Sequence, residues 1–199
     1  MSDGVIILGA GLAGLSAAFH LRKGFEVFEA SDRAGGSPSD YAGQLLSLDD
    51  KEVREMVEGL LAGNLNGQKA DAVIHSEGGM QTLIDALVQR VKAVSLGQRA
   101  VEIDTDRNTV VFGTGYTAWY DSLISTIPLP ELVKIIKDVP GDIADAAAMP
   151  GTHSKDALPG IMDYLNSKGI ISIGRFGAWE DSGMEKAMME GRKAALAIS

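Results

Sequence analysis

Three groups of residues have types and spacings that could do chemistry. The first is Gly9-Ala10-Gly11-Leu12-Ala13-Gly14, which follows the apolar run Val5 to Leu8 and opens into Leu15-Ser16-Ala17-Ala18. A glycine in the first position allows a tight strand-to-helix turn. One in the second lets backbone approach a pyrophosphate, and one in the third lets the helix lie close on the strand. The helix starting there turns unpaired N–H groups and the positive end of its dipole toward phosphate oxygens. The second group begins at Glu29, 20 residues after Gly9 and at the end of the run Phe25 to Phe28. From that position a carboxylate accepts the hydroxyls of a ribose. Behind it, Ala30 leads into a Gly- and Ser-rich stretch through Arg33, Gly35, Gly36, Ser37, Gly43 and Gln44. Arg33 can reach a pyrophosphate there, and the glycines let backbone pass close to a flat ring. The third group is Gly174-Arg175 behind an apolar run, with Gly183-Met184 opening a final helix. It forms a second strand-to-helix site, with amides at the helix start and a cation at the strand end.

Other chemistries find no residues to carry them. The chain has no cysteine, hence no thiol nucleophile, thiolate metal site or disulfide. His20 and His75 read as packing or surface residues, and His153 has no second histidine or acid at ligand spacing, so no metal site is expected. Lys and Arg total 18 against 27 Asp and Glu, and no basic cluster exists, which argues against nucleic acid. The uncharged stretch 4–21 is preceded by Asp3 and interrupted by four glycines, so it reads as the nucleotide turn and not as a membrane span or leader. A reducing cytoplasm fits these features. No side chain stands out as a general base, and no catalytic residue is assigned.

The elements that must position these groups follow from periodicity and caps. A helix is expected from about Gly11 to Lys23, with Arg22 and Lys23 in its last turn and Gly24 as its stop. Asp49-Asp50-Lys51-Glu52 reads as a cap with a glutamate three residues on, followed by the stripe Val53, Met56, Val57, Leu60 and Leu61. Another amphipathic helix starts at Gly78-Gly79, burying Leu83, Ile84, Leu87, Val88 and Val91. Strands are expected at Arg99–Asp104, Thr109–Phe112, Tyr116–Tyr120 and Leu123–Thr126. A short helix spans Glu131 to Lys137. From Asp138 to Lys168 the composition loosens, and only Ile161 to Leu165 reads as helical.

Taken together, Glu29-Ala30-x-Asp32-Arg33-x-Gly35-Gly36, Asp40-x-x-Gly43-Gln44 and Gly174-Arg175-Phe176-Gly177-x-Trp179-Glu180 resemble the flavin amine oxidase, protoporphyrinogen oxidase and UDP-galactopyranose mutase group. The resemblance implies FAD as cofactor. It also implies a three-layer, glutathione-reductase-like α/β fold: a Rossmann-like parallel central sheet with a small β-meander. It further implies that the backbone of Val101 meets the adenine and that the strand ending at Thr126 returns to the main sheet. Arg175 would sit near the pyrophosphate, and the helix start at Gly183 and Met184 near the flavin. The match spans roughly residues 1–46, 75–128 and 168–199. A single FAD-binding domain over 1–199 is therefore expected, with the short segments 47–74 and 129–167 standing where relatives carry substrate-domain insertions.

The mutase-type histidine is absent, with Gln44 in that region. Asp181 follows Trp179-Glu180 where an aromatic is usual, and Ser31 stands where many amine oxidases have arginine. Three outcomes stay open. One is a flavoenzyme with an open FAD, using a small molecule or electron-transfer partner. Another is a non-catalytic or engineered minimal FAD-binding module. The third is a plain NAD-binding module, disfavoured by Arg33-x-Gly35-Gly36 and the C-terminal motif. An exposed flavin face also makes a homodimer over that face an expectation.

Overall fold

The computed structural model describes residues 4–36, 46, 48–63, 68–70, 74–75, 78–148, 153–179 and 183–198. Strand β1 (Val5–Leu8) is buried along its whole length, as a central parallel strand must be. It pairs in parallel with β2 (Phe25–Phe28) on one side and β7 (Ser122–Ser125) on the other, placing Ile7 beside Val27 and Ile124. The flanks are β3 (Val94–Ser95) and β8 (Ile170–Ser172), giving the order β3-β2-β1-β7-β8. A second sheet is the antiparallel meander β4 (Ala100–Asp104), β5 (Thr109–Phe112) and β6 (Thr117–Trp119).

Because side chains alternate along a strand, β1 serves two cores at once. Val5 and Ile7 pack with α1 (Leu12–His20), α2 (Lys51–Leu61), α3 (Gly79–Val91) and α8 (Met184–Ile198). Ile6 and Leu8 pack with the meander and with α4 (Leu129–Ile135), α5 (Gly141–Ala148) and α6 (His153–Ser167). A four-residue helix, α7 (Gly174–Gly177), links β8 toward α8. This is the expected three-layer α/β arrangement, with the meander attached to one face.

Three local expectations change. Helix α1 stops at His20, three residues early, because Leu21 turns extended and packs into the core before the chain re-enters the sheet at Phe25. Asp50, not Asp49, caps α2, accepting from the N–H groups of Glu52 and Val53. That leaves the Glu52 carboxylate to pair with Arg192 of α8. The loose stretch 138–168 is largely helical, as α5 and α6. Ala147, Ile161 and Leu165 are buried in the second core, and Pro159 lies inside α6. His20 is half-buried and donates from Nδ1 to the Ser16 carbonyl at 2.7 Å, a packing role; burial holds its pKa below the ordinary value. His75 is exposed.

Tyr120 is 3% exposed and, among the described residues, its hydroxyl has no hydrogen-bond partner. Burial, helped by the Asp104 charge, pushes its pKa up to about 12. An unpartnered buried hydroxyl costs roughly 1–3 kcal/mol of desolvation, so Tyr120→Phe should leave the melting temperature unchanged or raise it. The parent's extra stability from this group is complete below pH 10, the unfolded value, and declines as pH rises toward 12. The phenylalanine variant should lack that share of the alkaline decline. Parallel melts from pH 9 to pH 12 would read both effects, and identical pH profiles would contradict the assignment.

Candidate functional site

A cavity of about 590 Å³ opens at the carboxyl end of β1 and β2, where the β1–α1 turn, the β2 end, the meander, β7, α7 and α8 converge. This is the expected place for a ligand on a parallel sheet, and the volume lies in the ordinary range for small-molecule sites. The lining is mostly apolar, with Glu29, Gln98, Arg99, Glu131 and Arg175 as its charged and amide groups.

The three glycines of the opening turn do three different jobs. Gly9 adopts φ +104°, and a Cβ there would lie 2.0 Å from Thr126 Oγ1, which itself donates to the Leu8 carbonyl. A Cβ on Gly14 would lie 2.0 Å from the carbonyl oxygen of Gly9, so no side chain fits between α1 and β1. Gly11 caps α1, and a Cβ there would meet no atom of the described residues within 4 Å. Packing among the described residues therefore does not explain its missing side chain. The space it leaves belongs to the cavity, at the end of α1 where N–H groups await an anion.

Glu29 is held beside that turn. Its Oε2 accepts from the Ala10 N–H at 2.7 Å, and its Oε1 accepts from the Ser31 N–H at 2.9 Å and the Ser31 hydroxyl at 2.8 Å. The same hydroxyl lies 2.7 Å from the Arg33 carbonyl, an alternative acceptor for its single proton. A carboxylate offers about four acceptor sites. With the Ser31 proton turned to Arg33, two sites on Glu29 remain open, the number a ribose diol requires.

The second strand-to-helix junction closes the cavity from the other side. Gly174 adopts φ +81°, its N–H donates to Glu190 Oε2 at 2.7 Å, and a Cβ there would stand 3.2 Å from the Ala13 Cβ. Helix α8 lies hard against α1. Ser16 Oγ donates to the Met188 carbonyl at 2.7 Å, and a Cβ on Gly191 would lie 2.2 Å from the Ala13 carbonyl oxygen. The two helices that present their first turns to the cavity are thus braced directly against each other.

Of the residues expected at the site, Gly9, Gly11, Leu12, Ala13, Glu29, Ala30, Gly36, Val101, Thr126, Gly174, Arg175 and Met184 line this one cavity. Ala10 and Gly14 are buried behind it and shape the turn. Gly35, at φ +112°, donates its N–H to the Ala10 carbonyl and packs toward Ile84, which also puts it behind the wall. Arg33 is exposed and is not among the residues that line the cavity. Gly183 precedes α8 outside the lining, and Met184 alone represents that helix start, with Ala187 one turn on. Ser37, Gly43 and Gln44 lie outside the described residues.

Sequence reasoning missed Leu8, Phe28, Gln98, Arg99, Pro128, Glu131, Ile135 and Phe176 as lining residues. Gln98 and Arg99 had a usable signal, since they lie three and two residues before Val101. Glu131 and Ile135 are four apart on α4 and could have been paired as one helix face. Among the described residues no group of histidines and acids could hold a metal ion, and no helix is long and apolar enough to cross a membrane.

The family model described as flavin containing amine oxidoreductase matches residues 37–158, more than half of the chain. The chain belongs to this family. A second model, for an NAD(P)-binding Rossmann-like domain, matches residues 7–57 and covers the opening turn. Among solved structures, reduced UDP-galactopyranose mutase aligns over 100% of this chain and 95% of its own, with TM-score 0.70 and 13% identity. At that identity the likeness shows the fold alone. A Pyrococcus furiosus protein aligns with TM-score 0.49 and 17% identity over 75% of this chain, which spans 66% of that protein. OTEMO in an FAD-bound form aligns at 0.44 and 15% over 63% of this chain, which spans a quarter of it. No curated protein sequence matches. Family and fold together make this a flavoprotein of the FAD-binding, oxidoreductase-like type.

Proposed function

We propose that the chain binds FAD along the cavity and works as a small flavin-dependent oxidoreductase with little or no substrate domain of its own. The observation that carries the reading is the open space at Gly11, framed by the α1 start, Glu29 and the α7–α8 junction. Gly11, Leu12 and Ala13 would hold the pyrophosphate with backbone N–H groups, Glu29 the ribose, and Val101 the adenine. Gly174, Arg175 and Met184 would hold the remainder, with the α8 start favouring negative charge on the ring. The bound flavin supplies two-electron transfer chemistry, and the chain supplies position and electrostatics.

In this reading residues 1–199 form one FAD-binding domain, and segments 47–74 and 129–167 stand in place of larger insertions. A non-catalytic module is the second reading, favoured because both lining carboxylates are already engaged, Glu29 by the Ala10 and Ser31 N–H groups and Glu131 by Lys134. Phe176 and Val101, each nearly half exposed at the cavity, make a homodimer across this face the expected assembly. Light scattering with and without FAD tests it.

The visible spectrum of the purified protein tests the cofactor. Bound-flavin bands, or their appearance after adding FAD, are expected; colourless protein that takes up no FAD removes the proposal. Anaerobic reduction by NADH or an amine then separates enzyme from module. Glu29→Ala should weaken FAD by about 1.5–3 kcal/mol for each charge-assisted hydrogen bond lost, or tenfold and more. A titration showing unchanged affinity would mean that the carboxylate does not meet ribose.

A further inference from the structure

Gln98 lines the cavity, and its carboxamide is held in a way that the flavin reading does not require. The backbone N–H of Gln98 donates to the Glu29 carbonyl at 2.8 Å, and the preceding N–H, of Gly97, donates to the Ser31 carbonyl at 2.8 Å. The segment that carries Gln98 is thereby fixed to the segment that carries the ribose acid. Its side chain is fixed as well. Thr114 Oγ1, in the β5–β6 turn, donates to Gln98 Oε1 at 2.7 Å. Among the described residues, no group is bonded to Gln98 Nε2. The residue is half-buried and lines the cavity between Glu29 and Val101.

An amide held this way presents a fixed pattern. Nε2 is a donor, and Oε1 keeps one acceptor site after serving Thr114. Donor beside acceptor is complementary to the N7 edge of adenine, where the exocyclic N6–H stands next to the N7 acceptor. The N7 edge of guanine carries two acceptors, O6 and N7, and would set its O6 against the amide oxygen. Nearby Val101 offers a half-exposed apolar surface against which a flat base can lie.

We propose that Gln98, oriented by Thr114, reads the base of the bound nucleotide and makes the site selective for adenine over guanine. Gln98 is then a specificity residue that touches the ligand, and Thr114 is a positioning residue acting through it. The inference rests on the nucleotide-site reading given above.

The test uses ADP and GDP as probes, titrated calorimetrically against the parent protein, Gln98→Ala and Thr114→Val. The parent should bind ADP about tenfold or more tightly than GDP, the discrimination expected of a two-point base contact. Gln98→Ala should lose most of that ratio through weaker ADP binding. Thr114→Val, which leaves the amide in place but unanchored, should narrow the ratio, and the double variant should be no worse than Gln98→Ala. Thermal melts confirm that each variant is folded, and the ADP-to-GDP ratio is a readout that a merely structural role would not move. A parent that binds ADP with a ratio unaltered by Gln98→Ala overturns this inference and leaves the FAD reading standing. A parent that binds neither ADP nor FAD overturns both.

Discussion

Valine at position 11 should abolish FAD uptake, by a hundredfold or more in affinity, while the protein melts nearly where the parent does. The two effects separate because of what surrounds Gly11. A Cβ there meets no atom of the described residues within 4 Å, and its backbone, at φ −76°, is open to any residue. Valine is a poorer helix cap than glycine, which costs about 1 kcal/mol. That is small beside binding. The branched side chain would fill the cavity at the mouth of α1, where a pyrophosphate must come within hydrogen-bond distance of the Leu12 and Ala13 N–H groups. Removing several charge-assisted bonds of roughly 1.5–3 kcal/mol each leaves little affinity. The measurement is a fluorescence titration of FAD beside a thermal melt. Retained affinity would show that the phosphates lie elsewhere.

Alanine at position 14 should give the opposite result, a protein damaged in folding before binding can be assessed. Helix propensity alone favours Gly14→Ala by about 1 kcal/mol. Against that, the new Cβ would sit 2.0 Å from the Gly9 carbonyl oxygen and 3.2 Å from its carbon. Both obstacles are backbone, so no side-chain rotation relieves them, and α1 must lift from β1. Overpacking of this kind costs 1–3 kcal/mol or more. With the entire β1–α1 junction disturbed, we expect a net loss above about 3 kcal/mol, or a fall of roughly 6–12 °C in melting temperature. Gly59→Ala in α2 is the control. Its Cβ meets nothing within 4 Å, and it should be neutral or gain up to about 1 kcal/mol. Equal melting of the two variants would refute the packing argument.

The turn at Gly9 and the close crossing at Gly14 were legible in the sequence because they are demands of local backbone geometry. Each excludes a side chain at a defined offset. Glu29 was legible for the same reason, as the residue that ends the strand beside that turn. Helices α5 and α6 were not. The stretch 138–168 is rich in Ala, Asp, Gly and Pro, and few of its residues, such as Ala147, Ile161 and Leu165, are fully buried, too few to give a clear period. Packing under the second core makes it helical where propensity does not. The place of Arg33, exposed and outside the cavity lining, was not legible, because which way a long side chain leaves a turn depends on contacts distant in sequence. The orientation of the Gln98 amide was not legible, because it is set by Thr114, 16 residues away and across a turn.

The bond from Ser16 to the Met188 carbonyl joins residues 172 positions apart. Nothing local can substitute for it. During synthesis the apolar flank of α1 must therefore wait, uncovered, until residues 184–198 have emerged from the ribosome. Contacts of such long sequence separation make folding slow and expose intermediates to association with their neighbours. The price of bracing two distant helix starts against each other is a nascent chain whose need for chaperones should be greatest in the interval between the synthesis of α1 and that of α8.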